Sequence, residues 1–221
     1  MTRMIACCLV LIGFLHSTSV WAWTVDIAIG DVNVELPSHE QHVAISHEIL
    51  TVGSTINTGP GAKVILTDGA SEICISGDSQ FKIESEPGAE KKTGMLELLN
   101  GKLRAKLIRP ENVSVYPYEL KLRATVAGVR GTEFFAIVEP ESDTICTTKG
   151  KVHVTAMDNP SESWDVPEGR TAVKQEGHAV VETKSDPVQV KKWKKETARE
   201  HGHAVSKKSP TPRAAAKAPH H

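Results

Sequence analysis

Short runs of β-forming residues, broken by turns that contain glycine, fill residues 23–183 of this chain. Asp68–Gly69 and Asn100–Gly101 lie between apolar runs and predict hairpins, and Gly30–Asp31 marks a third turn of this kind. No amphipathic helical stripe of ten or more residues precedes Val188. Only 5% of the residues are aromatic, so we expect an aliphatic core. The pattern predicts an all-β fold, built as a two-sheet sandwich or jelly roll, or as a short solenoid.

The N-terminal segment, residues 1–22, has the composition of a secretory signal. Arg3 gives a positive start, residues 5–15 form an uncharged apolar run, and Val20 and Ala22 suit the −3 and −1 positions of a cleavage site. So short an apolar run would cross only part of a hydrocarbon core of about 30 Å. We therefore expect this segment to be a cleaved signal peptide, with an uncleaved anchor as the alternative, and the mature chain to be exported.

Two cysteines remain in the expected mature chain, Cys74 and Cys146. Each lies in a strand-like run at the opposite parity from its flanking isoleucine, so both occupy the same kind of sheet face. An oxidising compartment allows one disulfide between them, which in the chain-entropy model would stabilise the fold by roughly 4 kcal/mol. The alternative is two separate thiols on a sheet surface.

Charge is distributed unevenly along the chain. Residues 23–190 hold 25 Asp and Glu against 16 Lys and Arg, whereas residues 191–221 hold nine Lys and Arg against two Glu. Phosphates would be repelled by the acidic part, and the export signal also points away from the nucleoid. Nucleic acid is therefore not expected to be a partner.

One stretch has a more specific pattern than the rest. Residues 124–138 read Ala-Thr-Val-Ala-Gly-Val-Arg-Gly-Thr-Glu-Phe-Phe-Ala-Ile-Val, and residues 144–154 place Lys-Gly-Lys between two alternating strands. Together they resemble the core signature of the FecR domain, a periplasmic all-β module of bacterial signalling proteins. Residues 50–62, 64–69 and 98–103 fit the earlier elements of that signature, in order. The matching positions, for which a structural role is expected, are Gly53, Thr58, Gly59, Gly61, Asp68, Gly69, Gly101, Val129, Arg130, Gly131, Thr132 and Gly150.

The resemblance implies one FecR-like domain over residues 23–185, followed by a basic helix and a disordered tail over residues 186–221. The best-known members of the family are similar to anti-sigma regulators, which also carry a cytoplasmic domain and a membrane-spanning helix. We expect this chain to lack both. It would then be a free-standing periplasmic module, without a cofactor, that works by binding an envelope protein or a glycan.

An envelope enzyme or glycan-binding protein acting on cell-wall polysaccharide is the alternative function. The many Asp and Glu residues could supply a pair of carboxylates for such an enzyme, although none can be singled out from the sequence. The chain has no Gly-x-Ser-x-Gly, His-Glu-x-x-His, Walker A or Rossmann motif. No catalytic residue is therefore predicted.

Arg130 is the signature residue with two interpretations. In the preferred one it pairs with an acidic neighbour and, with Gly128 and Gly131, belongs to the fold. In the other it contacts an anionic ligand or a partner's carboxylate.

His39, His42 and His47 lie close to Glu40 and Glu48 in one loop. This spacing could hold zinc or copper loosely, but histidines beside acids in a loop are more often solvated. No metal is therefore predicted.

The C-terminal part changes character at Asp186–Pro187. Residues 188–201 predict one short basic helix, and residues 206–219 have the composition of a disordered tail. One interpretation is an arm that touches an anionic envelope surface, and the other is a solvated end with no fixed partner. The residues expected to make such a contact are Lys191, Lys192, Trp193, Lys194 and Lys195.

Overall fold

The computed structural model describes residues 22–87, 93–108, 118–129 and 131–199. Within them it has sixteen strands and one helix, and that helix is neither long nor apolar enough to span a membrane. The strands are β1 (Thr24–Ile29), β2 (Val32–Glu35), β3 (Gln41–Val43), β4 (Thr55–Thr58), β5 (Lys63–Thr67), β6 (Glu72–Ile75), β7 (Ser79–Ser85), β8 (Gly94–Leu107), β9 (Tyr118–Lys121), β10 (Thr125–Val129), β11 (Thr132–Glu139), β12 (Ser142–Lys149), β13 (Lys151–Ala156), β14 (Ser163–Pro167), β15 (Arg170–Gln175) and β16 (Val181–Lys184), and the helix is α1 (Pro187–Glu196).

The strands form two sheets that share β8. Sheet A has the order β1-β5-β6-β8-β11-β12-β15-β16, and sheet B has the order β3-β2-β4-β7-β8-β9-β10-β13-β14. Residues 94–100 of β8 pair within sheet B, whereas residues 101–107 pair within sheet A. All strand pairs are antiparallel except β8 with β9. The all-β fold predicted from the sequence is confirmed, and it is built from two sheets whose strand orders follow the order of the chain closely.

The core lies between the two sheets and is mainly aliphatic, as expected. Alternate residues of each strand point into it, for example Val64 and Leu66 from sheet A and Val34 and Ile56 from sheet B, all fully buried. This alternation is the period of two that a half-buried strand requires. Trp23 and Tyr118 add an aromatic contact, with ring centroids 5.3 Å apart.

Glycine marks the corners where the chain passes from one sheet to the other. In the described residues these corners carry Gly30, Gly59 and Gly61, Gly77, Gly101, Gly131, Gly150 and Gly169. The strand register places the corners on two opposite edges of sheet A, because Gly101 pairs with Val138 at one end of β11 and Gly131 precedes its other end. We call the edge with the corners at Gly30, Gly61, Gly77 and Gly101 the first glycine rim.

The three predicted hairpin turns have different outcomes. Asp68–Gly69 does connect the antiparallel pair β5 and β6, and Asp68 Oδ1 accepts hydrogen bonds from the amides of Ala70 at 2.9 Å and Ser71 at 2.6 Å. Gly30–Asp31 and Asn100–Gly101 are corners instead, so those two predictions are wrong. At Gly101 the φ of +93° bends one continuous strand, and a Cβ there would lie 2.2 Å from Ser79 Oγ. Periodicity alone cannot distinguish such a bend from a hairpin, because both need a glycine between two apolar runs.

Candidate functional site

The C-terminal residues 187–199, which we call the strap, run across the outer face of sheet A. The helix that begins the strap is the one predicted from the sequence, and Asp186 caps it by accepting a 2.9 Å hydrogen bond from Val188 N. Trp193 is 8% exposed, and its ring lies 5.5 Å from that of Phe135 in a small cluster with Cys146. This aromatic contact is the main apolar attachment of the strap to the sheet.

Polar contacts hold the remainder of the strap in place. Glu196 pairs with Lys102 of β8 at 2.7 Å, and Arg199 pairs with Asp26 of β1 and, at 3.2 Å, with Glu72 of β6. These partners belong to three strands of sheet A. The strap is therefore fixed at several points across the sheet rather than at one end.

Trp193 consequently faces the protein and not the envelope. The prediction that Trp193 contacts an envelope surface was wrong, because Trp193 is the helix residue whose side chain is buried against the sheet. The four lysines around it, Lys191, Lys192, Lys194 and Lys195, are exposed. Whether they touch an envelope surface stays a prediction.

The cysteines lie on the outer face of sheet A, as their parity predicted. The register aligns Cys74, Arg104, Phe135 and Cys146 in one row across β6, β8, β11 and β12. Three strand spacings separate the two cysteines by about 14 Å, which is twice the reach of a disulfide. Both are free and buried, so of the two alternatives the structure has the separate thiols and not the disulfide. Burial raises the pKa of the Cys74 thiol to about 12, so it is neutral.

A groove lies between α1 and the first glycine rim. Its volume is about 670 Å³, within the range of small-ligand sites. Corner residues Gly61, Gly77 and Asp78 line one side, and the helix lines the other. The charged residues in its lining are Lys63, Lys102, Lys192, Lys195, Asp78 and Glu196.

The lysines of the groove differ in what they contact. Lys63 is 8% exposed, and its Nζ donates a 2.8 Å hydrogen bond to the Ala198 carbonyl oxygen of the strap. Lys102 holds Glu196 and lies 5.9 Å above the Trp193 ring centre. Lys192 and Lys195 are exposed, and neither forms an ion pair with any residue that the structure describes. The groove therefore offers free positive charge.

A family model described as "FecR protein" matches residues 54–153. The resemblance to the FecR domain that the sequence predicted is confirmed over these residues. No curated protein matches the sequence. Two crystal structures, each described as a candidate anti-sigma factor from Parabacteroides distasonis, resemble the fold with TM-scores of 0.53 and 0.52 at 16% and 15% identity. Each match covers 63% of this chain and 63% of the other, so the chain spans under two thirds of those proteins.

The FecR signature lies mostly at corners and turns. Thr58 illustrates its role, because its Oγ1 donates to the Ser76 carbonyl oxygen at 2.6 Å and accepts from Ser79 N at 3.0 Å. It thereby joins two neighbouring corners of the first rim. Val129 and Thr132 flank a corner between the sheets and are buried. Gly59, Gly61, Gly101, Gly131 and Gly150 occupy other corners, Gly69 is in a hairpin, and Gly53 has a φ of +89° in a turn before β4.

Arg130 lies outside the described residues, so its two interpretations stay open. Its neighbour Glu133, which no sequence signal singled out, has well-defined contacts. Arg104 donates to Glu133 Oε1 through Nε at 3.2 Å and Nη2 at 2.8 Å, and Thr148 Oγ1 donates to it at 3.1 Å. Burial raises the pKa of Glu133, but the arginine and the other hydrogen bonds lower it more, and the pKa lies below its usual value.

The histidine loop does not assemble a metal site. His42 pairs with Glu48 at 2.6 Å, whereas His39 pairs with Glu35 at 3.1 Å. Among the residues that the structure places, no group of three His, Cys, Asp or Glu could hold a metal ion. His39 and His42 therefore pair with separate glutamates.

Proposed function

We propose that this protein is an exported, non-catalytic FecR-type module that binds a ligand or partner in bacterial envelope signalling or sensing. The FecR domain and the anti-sigma-like fold support a role in signalling or sensing. Export rests on the signal-like N-terminus of the sequence. Binding rests on the groove between the strap and the first glycine rim, which is the observation that carries the proposal.

The carboxylates in the groove disfavour the alternative of a glycan-cleaving enzyme. Such an enzyme needs two carboxyl groups facing one bond, with one of them kept protonated by burial. In the groove, Asp78 is exposed and Glu196 is ion-paired with Lys102. Neither carboxyl has the apolar surroundings that an acid catalyst requires.

Photo-crosslinking in intact cells tests the proposal. Benzoylphenylalanine placed at Lys192, in the groove, is expected to give a discrete adduct with an envelope component. The same group at Met157, which is 44% exposed and belongs to the β13–β14 turn of sheet B, should give none. Protease added to spheroplasts should digest the protein without lysis. A protein protected until lysis, or equal adducts at both positions, would refute the proposed function.

A further inference from the structure

Lys63 is a buried cation without a negative partner. An ammonium group has three donors, and the structure gives Lys63 Nζ one hydrogen bond, to the Ala198 carbonyl oxygen. No carboxylate of the described residues lies within ion-pair distance of it. Buried charges in proteins are normally paired, because an unpaired one keeps its full desolvation cost. The site around Lys63 is therefore short of one negative charge.

The neighbours of Lys63 do not supply that charge. Asp26 and Glu72, two acids of sheet A that contact the strap, are both engaged by Arg199. The buried Cys74 thiol is neutral. No carboxylate of the described residues pairs with Lys63, and the groove that it lines gives an external anion access to it.

The other charges of the groove also favour an anionic ligand. Lys102 and Glu196 neutralise each other, which leaves Lys63, Lys192 and Lys195 facing the single carboxylate of Asp78. This positive surface lies on a body in which acidic residues clearly outnumber basic ones, so it is not a consequence of composition. A cleft of one sign, bounded by protein, concentrates ligands of the opposite sign.

We propose that the groove binds a small polyanion carrying at least two phosphate or carboxylate groups. One anionic group sits on Lys63 of the body, and a second is held by Lys192 and Lys195 of the strap. Because the lysines come from both sides, the ligand ties the strap to the body, and binding is coupled to docking of the strap. The inference rests on the proposed function for the role of the groove, but the site itself is testable without it.

Calorimetry on the purified full chain tests the site with two probes, tripolyphosphate and propane-1,2,3-tricarboxylate. We expect at least one to bind with one-to-one stoichiometry, and the comparison shows whether phosphate or carboxylate is preferred. The double variant Lys192→Gln/Lys195→Gln should weaken binding at least tenfold. The control Lys191→Gln, on the same helix but outside the groove lining, should change it less than twofold. Absence of binding by both probes at 1 mM (about the weakest useful affinity), or equal weakening by the control, overturns the proposal.

A second variant separates the ligand role of Lys63 from a structural one. Lys63→Met removes an uncompensated charge, so the melting temperature without probe should not fall, while probe binding should be lost. In the wild type, the probe should slow hydrogen exchange of the strap amides. A lower melting temperature with unchanged probe affinity would show that Lys63 only holds the strap, and would overturn the inference. Probe binding without any envelope adduct in cells would refute the proposed function and leave the anion site standing.

Discussion

Replacement of Trp193 by alanine tests whether one side chain holds the strap on sheet A. The helix of the strap has ten residues, which is below the length at which isolated helices are stable in water. It exists because its apolar side has a place to pack, and that side consists mainly of Trp193 against Phe135, with Val190 beside them. Without the indole, the helix loses the contact that compensates its ordering.

The size of the expected increase in strap opening follows from comparing the lost contact with the contacts that remain. Truncating a buried tryptophan to alanine costs about 3–5 kcal/mol. The helix cap at Asp186 contributes about 1 kcal/mol, and each partly exposed ion pair of Glu196 and Arg199 about 0.2–1 kcal/mol. The cap and the ion pairs together contribute about as much free energy as the loss of Trp193 removes, so they do not outweigh that loss. Since 1.4 kcal/mol is a factor of ten, a loss of about 3 kcal/mol raises the open population of the strap about 100-fold.

Hydrogen exchange measured by mass spectrometry reports this opening directly. Amides of residues 187–199 should exchange about 100-fold faster in Trp193→Ala, whereas amides of the central strands β7 and β8 should change little. Val188→Ala is the matched control, because Val188 is 77% exposed on the same helix and should leave the exchange unaltered. Unchanged protection of the strap in Trp193→Ala would refute the reasoning. Equal loss of protection in β8 would also refute it, since the strap would then unfold only with the whole sandwich.

Three further predictions concern the sandwich itself. Gly101→Ala should lower the free energy of unfolding by about 2–5 kcal/mol, because the new Cβ adds left-handed strain and overpacking. Gly69→Ala, where a Cβ meets nothing within 4 Å, should lower it by only about 1–2 kcal/mol. Urea unfolding measures both. Cys74 and Cys146 should resist thiol reagents in the native state, and each should be labelled in urea with or without reductant. Labelling of the two in urea only after reduction would contradict their spacing in the sheet. Because the pKa of Glu133 is lowered on folding, its contribution to stability is present above its ordinary pKa of 4.5 and is lost as the pH falls through the lower pKa of the folded state. Acid titration of unfolding should therefore be shallower in Glu133→Gln, and identical slopes would show that its arginine contact contributes nothing.

The strands and the sandwich were predictable because they depend on local patterns. Alternation of apolar and polar residues assigns each side chain to a face, and the described strands follow that assignment closely. It correctly placed both cysteines on the same kind of sheet face. It could not give the strand order, and the two strands between Cys74 and Cys146 are what rule out a disulfide. Order within a sheet depends on long-range pairing, which no single segment encodes.

The site was less predictable than the fold. The helix of the strap was predicted, but its basic residues suggested a solvated or envelope-bound arm. Its docking depends on an apolar cluster on the outer face of sheet A, where Phe135, Ile137 and Cys146 receive Trp193. Outward-facing strand positions are normally read as solvent-exposed. A buried residue at such a position, like Ile65 at 1% exposure, becomes interpretable only when the covering segment is known.

The FecR signature and the groove are related through position. The signature glycines Gly61 and Gly101 set the backbone at two corners of the first rim, and a segment of sheet A follows each of them. Lys63 follows the corner at Gly61, and Lys102 follows Gly101, and both have the parity that points away from the core. The signature therefore fixes where these two side chains emerge but not what they are. These two side chains therefore set part of the charge of the groove, whereas the signature sets only the backbone that presents them.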